Sequence, residues 1–278
     1  MEQQAYREQF ETEDAHWWFE GRRAVIWALL DRAGLTSSGG ALRILDAGCG
    51  TGRNLIEFGS LGDARGIDSS PEAIEFCRRR GVLGATEGRL ESLPFDDGSF
   101  DLILATDVLE HLEDDRSVMR ELRRVAASGA RLLATVPAYR WLWSQHDEAH
   151  HHFRRYTLRD LRERLRAQGW EAVDWSYFNT ALLPPIAAVR TLGRRRPPAD
   201  GRPDLKLTPP ALNRLLLAPM KGEAAMIRRG ARLPAGVSIG LVCKAGAVSA
   251  PRSGPEVQAS PAAPQAARPE AGARGVQP

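Results

Sequence analysis

The stretch Leu42-Arg43-Ile44-Leu45-Asp46-Ala47-Gly48-Cys49-Gly50-Thr51-Gly52-Arg53 decides the fold of this chain. An apolar β-type run, 42–46 (LRILD), passes straight into three glycines at alternate positions and then into a helical pattern over 52–58. Glycines so spaced let the backbone turn sharply and approach a ligand without interference from a Cβ, and the helix start that follows offers free N–H groups to an anion. Strand, glycine turn and helix in that order mark a nucleotide-type pocket. A dinucleotide fingerprint needs glycine where Arg53 stands, and a Walker loop needs Gly-Lys-Ser/Thr; the chain has neither. Asp46 ends the strand just ahead of the glycines, where a carboxylate repels a pyrophosphate but suits a cationic amine or sulfonium.

Working outward, further β-type runs cover 64–68 (ARGID), 100–105 (FDLILA) and 130–136 (ARLLATV). Helical patterns cover 70–80, with Pro71 placed for a first turn, and 115–127. Strands and helices taking turns predict a parallel sheet covered on both faces, a three-layer α/β/α sandwich. A helix over 157–167, a sixth strand over 170–177, a helix from Thr208-Pro209-Pro210 to about 217 and a strand closing the sheet over 237–243 complete the reading. Ligands in such sheets bind beyond the carboxyl ends of the strands, where strand order reverses. Asp68 ends the second strand 22 residues after Asp46, close to the usual spacing of a ribose-binding carboxylate.

The run Asp46-Ala47-Gly48-Cys49-Gly50-Thr51-Gly52 resembles the E/D-x-G-x-G-x-G loop of class I S-adenosylmethionine-dependent methyltransferases, and the resemblance extends over about 43–139. It implies a Rossmann-like, mostly parallel seven-stranded sheet with an antiparallel last strand, and S-adenosylmethionine as cofactor. The implied cofactor residues are Asp46, Gly48, Cys49, Gly50 and Gly52 in the loop, Asp68 and Ser69 at the ribose, Leu90 and Glu91 beside the adenine, and Thr106, Asp107 and Val108 along the methionine part. Arg89 stands where many relatives have aspartate. His16-Trp17-Trp18-Phe19 and His152-Phe153-Arg154-Arg155-Tyr156-Thr157 further resemble the HWWF and H-x-RRYT signatures of a bacterial subgroup of that family, which implies an aromatic N-terminal lid over 1–40. Asp107, Glu110 and His111 with a later histidine resemble the acidic-acidic-histidine set of some magnesium-assisted O-methyltransferases. Those families usually carry glutamate at the first position, and no metal ligand is assigned here.

An oxygen acceptor needs a base near neutral pH, and histidine suits that task. His111, just past the fourth strand, and His152, in the segment 137–156 (PAYRWLWSQHDEAHHHFRRY), are the catalytic candidates. Tyr139, Trp141 and Trp143 are positioned to wall a pocket, and Arg154 and Arg155 either bind an anionic group or pair with Asp147 or Glu148. The expected acceptor is a small or lipid-linked molecule. Nucleic-acid bases are disfavoured because TDVLEH lacks the N/D-P-P-Y/F patch of base-methylating enzymes. A short-chain reductase predicts Tyr-x-x-x-Lys, which none of the four tyrosines provides; a non-catalytic cofactor-binding protein is the other alternative.

Composition bounds the rest. The chain has 278 residues, 43% hydrophobic and 26% charged, enough to bury a large core and too ordered in pattern for a disordered chain. Three cysteines without C-x-x-C spacing predict reduced thiols and a cytoplasmic setting. No apolar run reaches the roughly 20 residues needed to span a bilayer. The apolar run 180–189 followed by arginines suggests peripheral contact at the inner face of the membrane. A net charge of +3 says nothing about nucleic acid. We expect the methyltransferase domain over 41–248, with a substrate-side insertion at 137–156 and an excursion at 178–232. A linker is expected at 193–207, and 249–278, rich in proline and alanine, reads as a disordered tail.

Overall fold

The computed structural model describes residues 3–37, 42–193 and 208–246. The expected tail at 249–278 and nearly all of the expected linker lie outside the described residues. In chain order the elements are α1 (Gln3–Thr12), α2 (Trp17–Arg32), β1 (Leu42–Ala47), α3 (Arg53–Phe58), β2 (Gly62–Asp68), α4 (Pro71–Arg79), β3 (Ala85–Glu87), β4 (Phe100–Thr106), α5 (Asp115–Val125), β5 (Ala126–Pro137), α6 (Gln145–Ala149), α7 (Leu158–Ala167), β6 (Trp170–Phe178), α8 (Leu183–Gly193), α9 (Pro210–Arg228) and β7 (Ser238–Ala245). The sheet order is β3-β2-β1-β4-β5-β7-β6, with β7 antiparallel to both neighbours and the remaining pairs parallel.

Alternation along the strands divides the core into two layers. Leu45, Ile103, Leu132 and Leu241 face Val118, Met119 and Leu122 of α5 and Leu161 and Leu165 of α7. Their strand neighbours Ile44, Leu102, Leu104, Leu133 and Val242 face Val25, Ile26 and Leu29 of α2 and Met220, Ala224 and Ile227 of α9. The body of α2 is therefore part of the sheet's own covering layer, while α1 packs on α4 through Tyr6, Ala73 and Phe76.

Caps explain the helix starts. Ser70 accepts the Ala73 N–H ahead of Pro71, Asp114 accepts from Ser117, and Thr157 accepts from Asp160. The last strand is antiparallel, as expected, and lies between β5 and β6. Other elements differ from the sequence reading. β3, only Ala-Thr-Glu, carries no apolar run and exists because β2 offers it a partner. α9 continues past 217 to Arg228, through Pro219, because Met220, Ala224 and Ile227 pack against α2. That burial outweighs the roughly 3 kcal/mol of an interior helical proline.

The contact between α2 and α9 is close at Gly21, where a Cβ would lie 2.6 Å from Met220 Sδ and 2.9 Å from Met220 Cβ. Glycine to alanine in an open helix stabilises by up to ~1 kcal/mol. Here Gly21→Ala is expected to lower the melting temperature, and in a Met220→Ala background the same substitution is expected to raise it. A double-mutant cycle by thermal denaturation reads the coupling.

Candidate active site

Strand order reverses between β1 and β4, so the cleft opens where their carboxyl ends diverge. A large cavity of about 1280 Å³ occupies this place, more than one drug-sized ligand needs. One half is walled by the glycine loop, Asp68, Ser69, Arg89, Leu90, Glu91, Thr106, Asp107 and Val108. Of the cofactor residues expected from the sequence, Gly48, Cys49, Gly50, Asp68, Ser69, Leu90, Glu91, Thr106, Asp107 and Val108 line it; Asp46 and Gly52 do not.

Gly48, Gly50 and Gly52 all have positive φ. A side chain at Gly48 is opposed by space as well as by conformation: on this backbone its Cβ would meet Val108 Cγ2 at 2.5 Å. The Gly48 and Cys49 N–H groups both donate to the Ile67 carbonyl, at 2.8 and 3.0 Å, which ties the loop to β2. Asp68 accepts from the Gly50 N–H (2.9 Å), the Ser70 N–H (3.0 Å) and the Tyr6 hydroxyl (3.1 Å). A carboxylate has about four acceptor positions, so one remains. Tyr6 reaches it from α1, which Glu13 latches to Arg80 at 2.9 Å. Burial and the Asp68 charge push the Tyr6 hydroxyl well above its ordinary value, so it stays a donor.

Asp46 lies fully buried under the loop. Asn54 turns its amide to the Thr106 hydroxyl (3.0 Å), and neither Asp46 oxygen receives a hydrogen bond. Burial, only partly offset by the charge of Arg22, pushes this carboxyl up to about 7. The carboxylate expected to touch the ligand thus lies beneath the cavity wall, within the field of the Arg22 charge. That guanidinium comes from the first turns of α2 and donates to Asp107 at 2.5 Å; Asp107 also accepts from Thr135 at 3.0 Å. Asp107 sits at φ +53, in the left-handed region that costs a non-glycine residue strain. The Arg22 Nε is buried at the cleft with no hydrogen-bond partner.

The other half holds Trp17, Trp18, Trp143, Glu110, His111, His146, His150, His152, Arg155, Asn179, Ile186 and Val189. His111 and His152, the two catalytic candidates, come together with rings in edge-to-face contact, centroids 4.6 Å apart. The Phe153 N–H donates to the Glu110 carbonyl at 2.7 Å, joining the 137–156 segment to the turn after β4. His152 Nδ1 lies 3.0 Å from Asp147 Oδ1. Burial would raise the Asp147 carboxyl, but hydrogen bonds from His152 and Arg155 outweigh it and hold it below the usual carboxylate range. Burial, with His152 and His150 nearby, lowers His111 to about 3, so its imidazole is neutral. Glu110 is buried and pushed well above the ordinary carboxylate value by desolvation and by Asp107. Glu110, His111 and His152 form a close group, with one carboxylate oxygen and one nitrogen of each ring within 4.8 Å of one another.

The arginine pair is spent on structure. Arg155 bonds Asp147 (2.6 Å) and the Ala138 carbonyl (3.0 Å), while Arg154 bonds Asp115 (3.2 Å) and the Glu113 carbonyl (2.6 Å). Tyr139 stacks on Trp141 and Tyr177 outside the cavity lining, which leaves Trp143 as the tryptophan of that segment in the wall. Tyr6, Arg22 and Asn179 line the site without having been singled out by the sequence. Asn179, at φ +58 just past β6, stands where strand ends place ligand residues, and that position was its one available signal.

Residues 45–134 match the family model of the methyltransferase domain. Over these residues the chain resembles a methyltransferase domain. Ajmaline N-methyltransferase of Rauvolfia serpentina is 32% identical over 106 residues, 35% of this chain and 36% of that protein. The O-methyltransferase rstn1 of Aspergillus nomiae is 33% identical over 99 residues, 32% of this chain and 44% of that one. The chain thus spans less than half the length of these curated relatives, and their names divide between nitrogen and oxygen acceptors. The crystal structure of the YcgJ protein of Bacillus subtilis superimposes with a TM-score of 0.51 at 19% identity, over 81% of this chain and 98% of that one, a likeness of fold. These matches favour the methyltransferase domain over the reductase reading.

Asp46 gives a pH test. An aspartate near 4 when unfolded and near 7 when folded binds more protons in the native state between those values. Stability is then fullest below about pH 4 and falls as pH rises toward 7, by at most about 1.4 kcal/mol per pH unit. Asp46→Asn removes this loss, so its advantage over wild type in urea denaturation, without cofactor, is expected to grow from pH 5 to pH 7 and then level off.

Proposed function

We propose that the chain is an S-adenosylmethionine-dependent methyltransferase acting on a small-molecule or lipid-linked acceptor, with oxygen as the favoured target. The observation that carries the reading is the pairing, across one cleft, of a ribose-type carboxylate with a charged Arg22–Asp107 clamp. Asp68, with one acceptor position left, suits one hydroxyl of a ribose. Gly48 keeps the floor open, and Leu90 with Glu91 is placed beside an adenine. Arg22 Nε and Asp107 suit the carboxylate and ammonium of an amino-acid group. When bound, the cofactor supplies a methyl group already activated by the sulfonium; the protein's task is to hold the acceptor in line.

His111 and His152 are assigned to removing the acceptor's proton. Asp147, kept ionised, accepts a hydrogen bond from the His152 Nδ1–H and leaves the lone pair on Nε2, and the low value of His111 keeps it neutral as well. Trp18, Trp143 and Asn179 are assigned to the acceptor itself. A lipid-linked acceptor is supported by Ile186 and Val189 of α8 at the cleft, Val189 being 70% exposed. No helix among the described residues is long and apolar enough to cross a membrane. A peripheral position at the inner face, and a domain layout with α1 as lid and 249–278 as tail, complete the proposal.

Calorimetry with S-adenosylhomocysteine tests the reading. The wild-type chain is expected to bind it, and Gly48→Ala is expected to abolish binding. Arg22→Met is expected to weaken S-adenosylhomocysteine by about tenfold or more, since a charge-assisted hydrogen bond is worth about 1.5–3 kcal/mol. The same variant should bind 5′-methylthioadenosine, which lacks the amino-acid group, within twofold of wild type. A wild-type chain with no affinity for either nucleoside ends the proposal.

A further inference from the structure

We propose that Glu110, His111 and His152 form a binding site for a divalent transition-metal ion such as zinc(II), at the acceptor end of the cleft. One carboxylate oxygen and one nitrogen from each ring lie within 4.8 Å of one another. Two imidazole nitrogens and one carboxylate form a donor set that suits zinc and its transition-metal neighbours; magnesium asks for a near-octahedral shell of oxygens. The magnesium-type set suggested by resemblance does not fit, because Asp107 is committed to Arg22 and Thr135.

Two independent observations point to a ligand for this group. Glu110 is 1% exposed, and its Oε2 is buried without a hydrogen-bond partner. A buried carboxylate oxygen left so is costly unless a cation meets it. Next, His152 is set up as metal-bound histidines are: its Nδ1 lies on Asp147, which also accepts from Arg155 and from the Ser144 N–H. Because Asp147 is an acceptor held by a guanidinium, His152 donates from Nδ1 and keeps its lone pair on Nε2. The rings of His111 and His152 meet edge to face, and the bond from the Phe153 N–H to the Glu110 carbonyl fixes the two segments together.

Three protein ligands leave a coordination position open toward the cleft. An acceptor hydroxyl held there would be acidified by the ion. In that state His111 and His152 would act as ligands, and the hydroxyl's proton, loosened by the ion, would leave to solvent water in place of a histidine. Only this last role rests on the methyl-transfer reading; metal binding itself does not.

The test uses the full, tag-free chain, stripped with a chelator and titrated with zinc(II) by calorimetry in the absence of nucleoside and acceptor. One ion per chain is expected. Glu110→Gln and His152→Ala should each weaken it by at least about tenfold, and Asp147→Asn by about 10–100-fold. His151→Asn, an exposed neighbour whose left-handed backbone asparagine tolerates, should leave it unchanged. Cobalt(II) in place of zinc is expected to give visible bands of a low-coordinate nitrogen and oxygen site that Glu110→Gln removes, with metal-free melting curves reporting that each variant is folded. Absence of stoichiometric binding, or equal binding by Glu110→Gln and His152→Ala, overturns the proposal. Zinc binding without S-adenosylhomocysteine binding would keep the metal site and end the methyltransferase reading; the converse would do the opposite.

Discussion

One buried cation holds the cleft together. Arg22 is ion-paired to Asp107, and its charge also acts on Asp46 and Glu110, so a single guanidinium serves three carboxylates at the ends of β1 and β4. Carboxylates that far from water are tolerated only with a compensating charge. The compensation comes from α2, whose body is fixed in the sheet's covering layer by Val25, Ile26 and Leu29 and by α9. Core packing therefore sets the position of the charge, and the charge partly offsets the burial of Asp46 and Glu110. The protein's strained backbone at Asp107 lies at the same point.

The acceptor side follows the same logic with an anion at its centre. Asp147 accepts from Arg155, His152 and Ser144, and without it the segment from 137 to 156 would lose both its anchor and its histidine. Tyr156 then ties that segment to Leu109 and Asp115 beneath the turn after β4. Stability and chemistry use the same groups, which is why Arg154 and Arg155, plausible anion binders in isolation, are unavailable for that work.

Much of the fold is legible from local pattern. β1, β2, β4 and the helices that follow them are marked by apolar runs, a proline at a first turn and capping residues, all of them properties of a few adjacent residues. β3 was not legible because three residues carry no periodicity. The full length of α9 was hidden by Pro219, since the burial that overrides the proline comes from α2, nearly 200 residues away. In the site, the glycine loop and Asp68 were legible because strand, turn and acid lie close in sequence. Arg22 and Tyr6 were not, because their partners Asp107 and Asp68 are remote in the chain. Asp46 was legible as the acid ahead of the glycines, and its burial away from the cavity wall emerged only when the loop was seen to fold over it.

What the chain by itself determined is the alternating sheet and helix order, the sharp glycine turn after β1 and the acids that end its first two strands. These follow from side-chain periodicity and from the conformations that glycine alone adopts easily. Tertiary structure decided which charges meet: Arg22 with Asp107, Asp147 with His152 and Arg155, and Glu110 with two histidines. The reason is that electrostatic partners are chosen by distance and burial in space, and neither quantity is written in the spacing of residues along the chain.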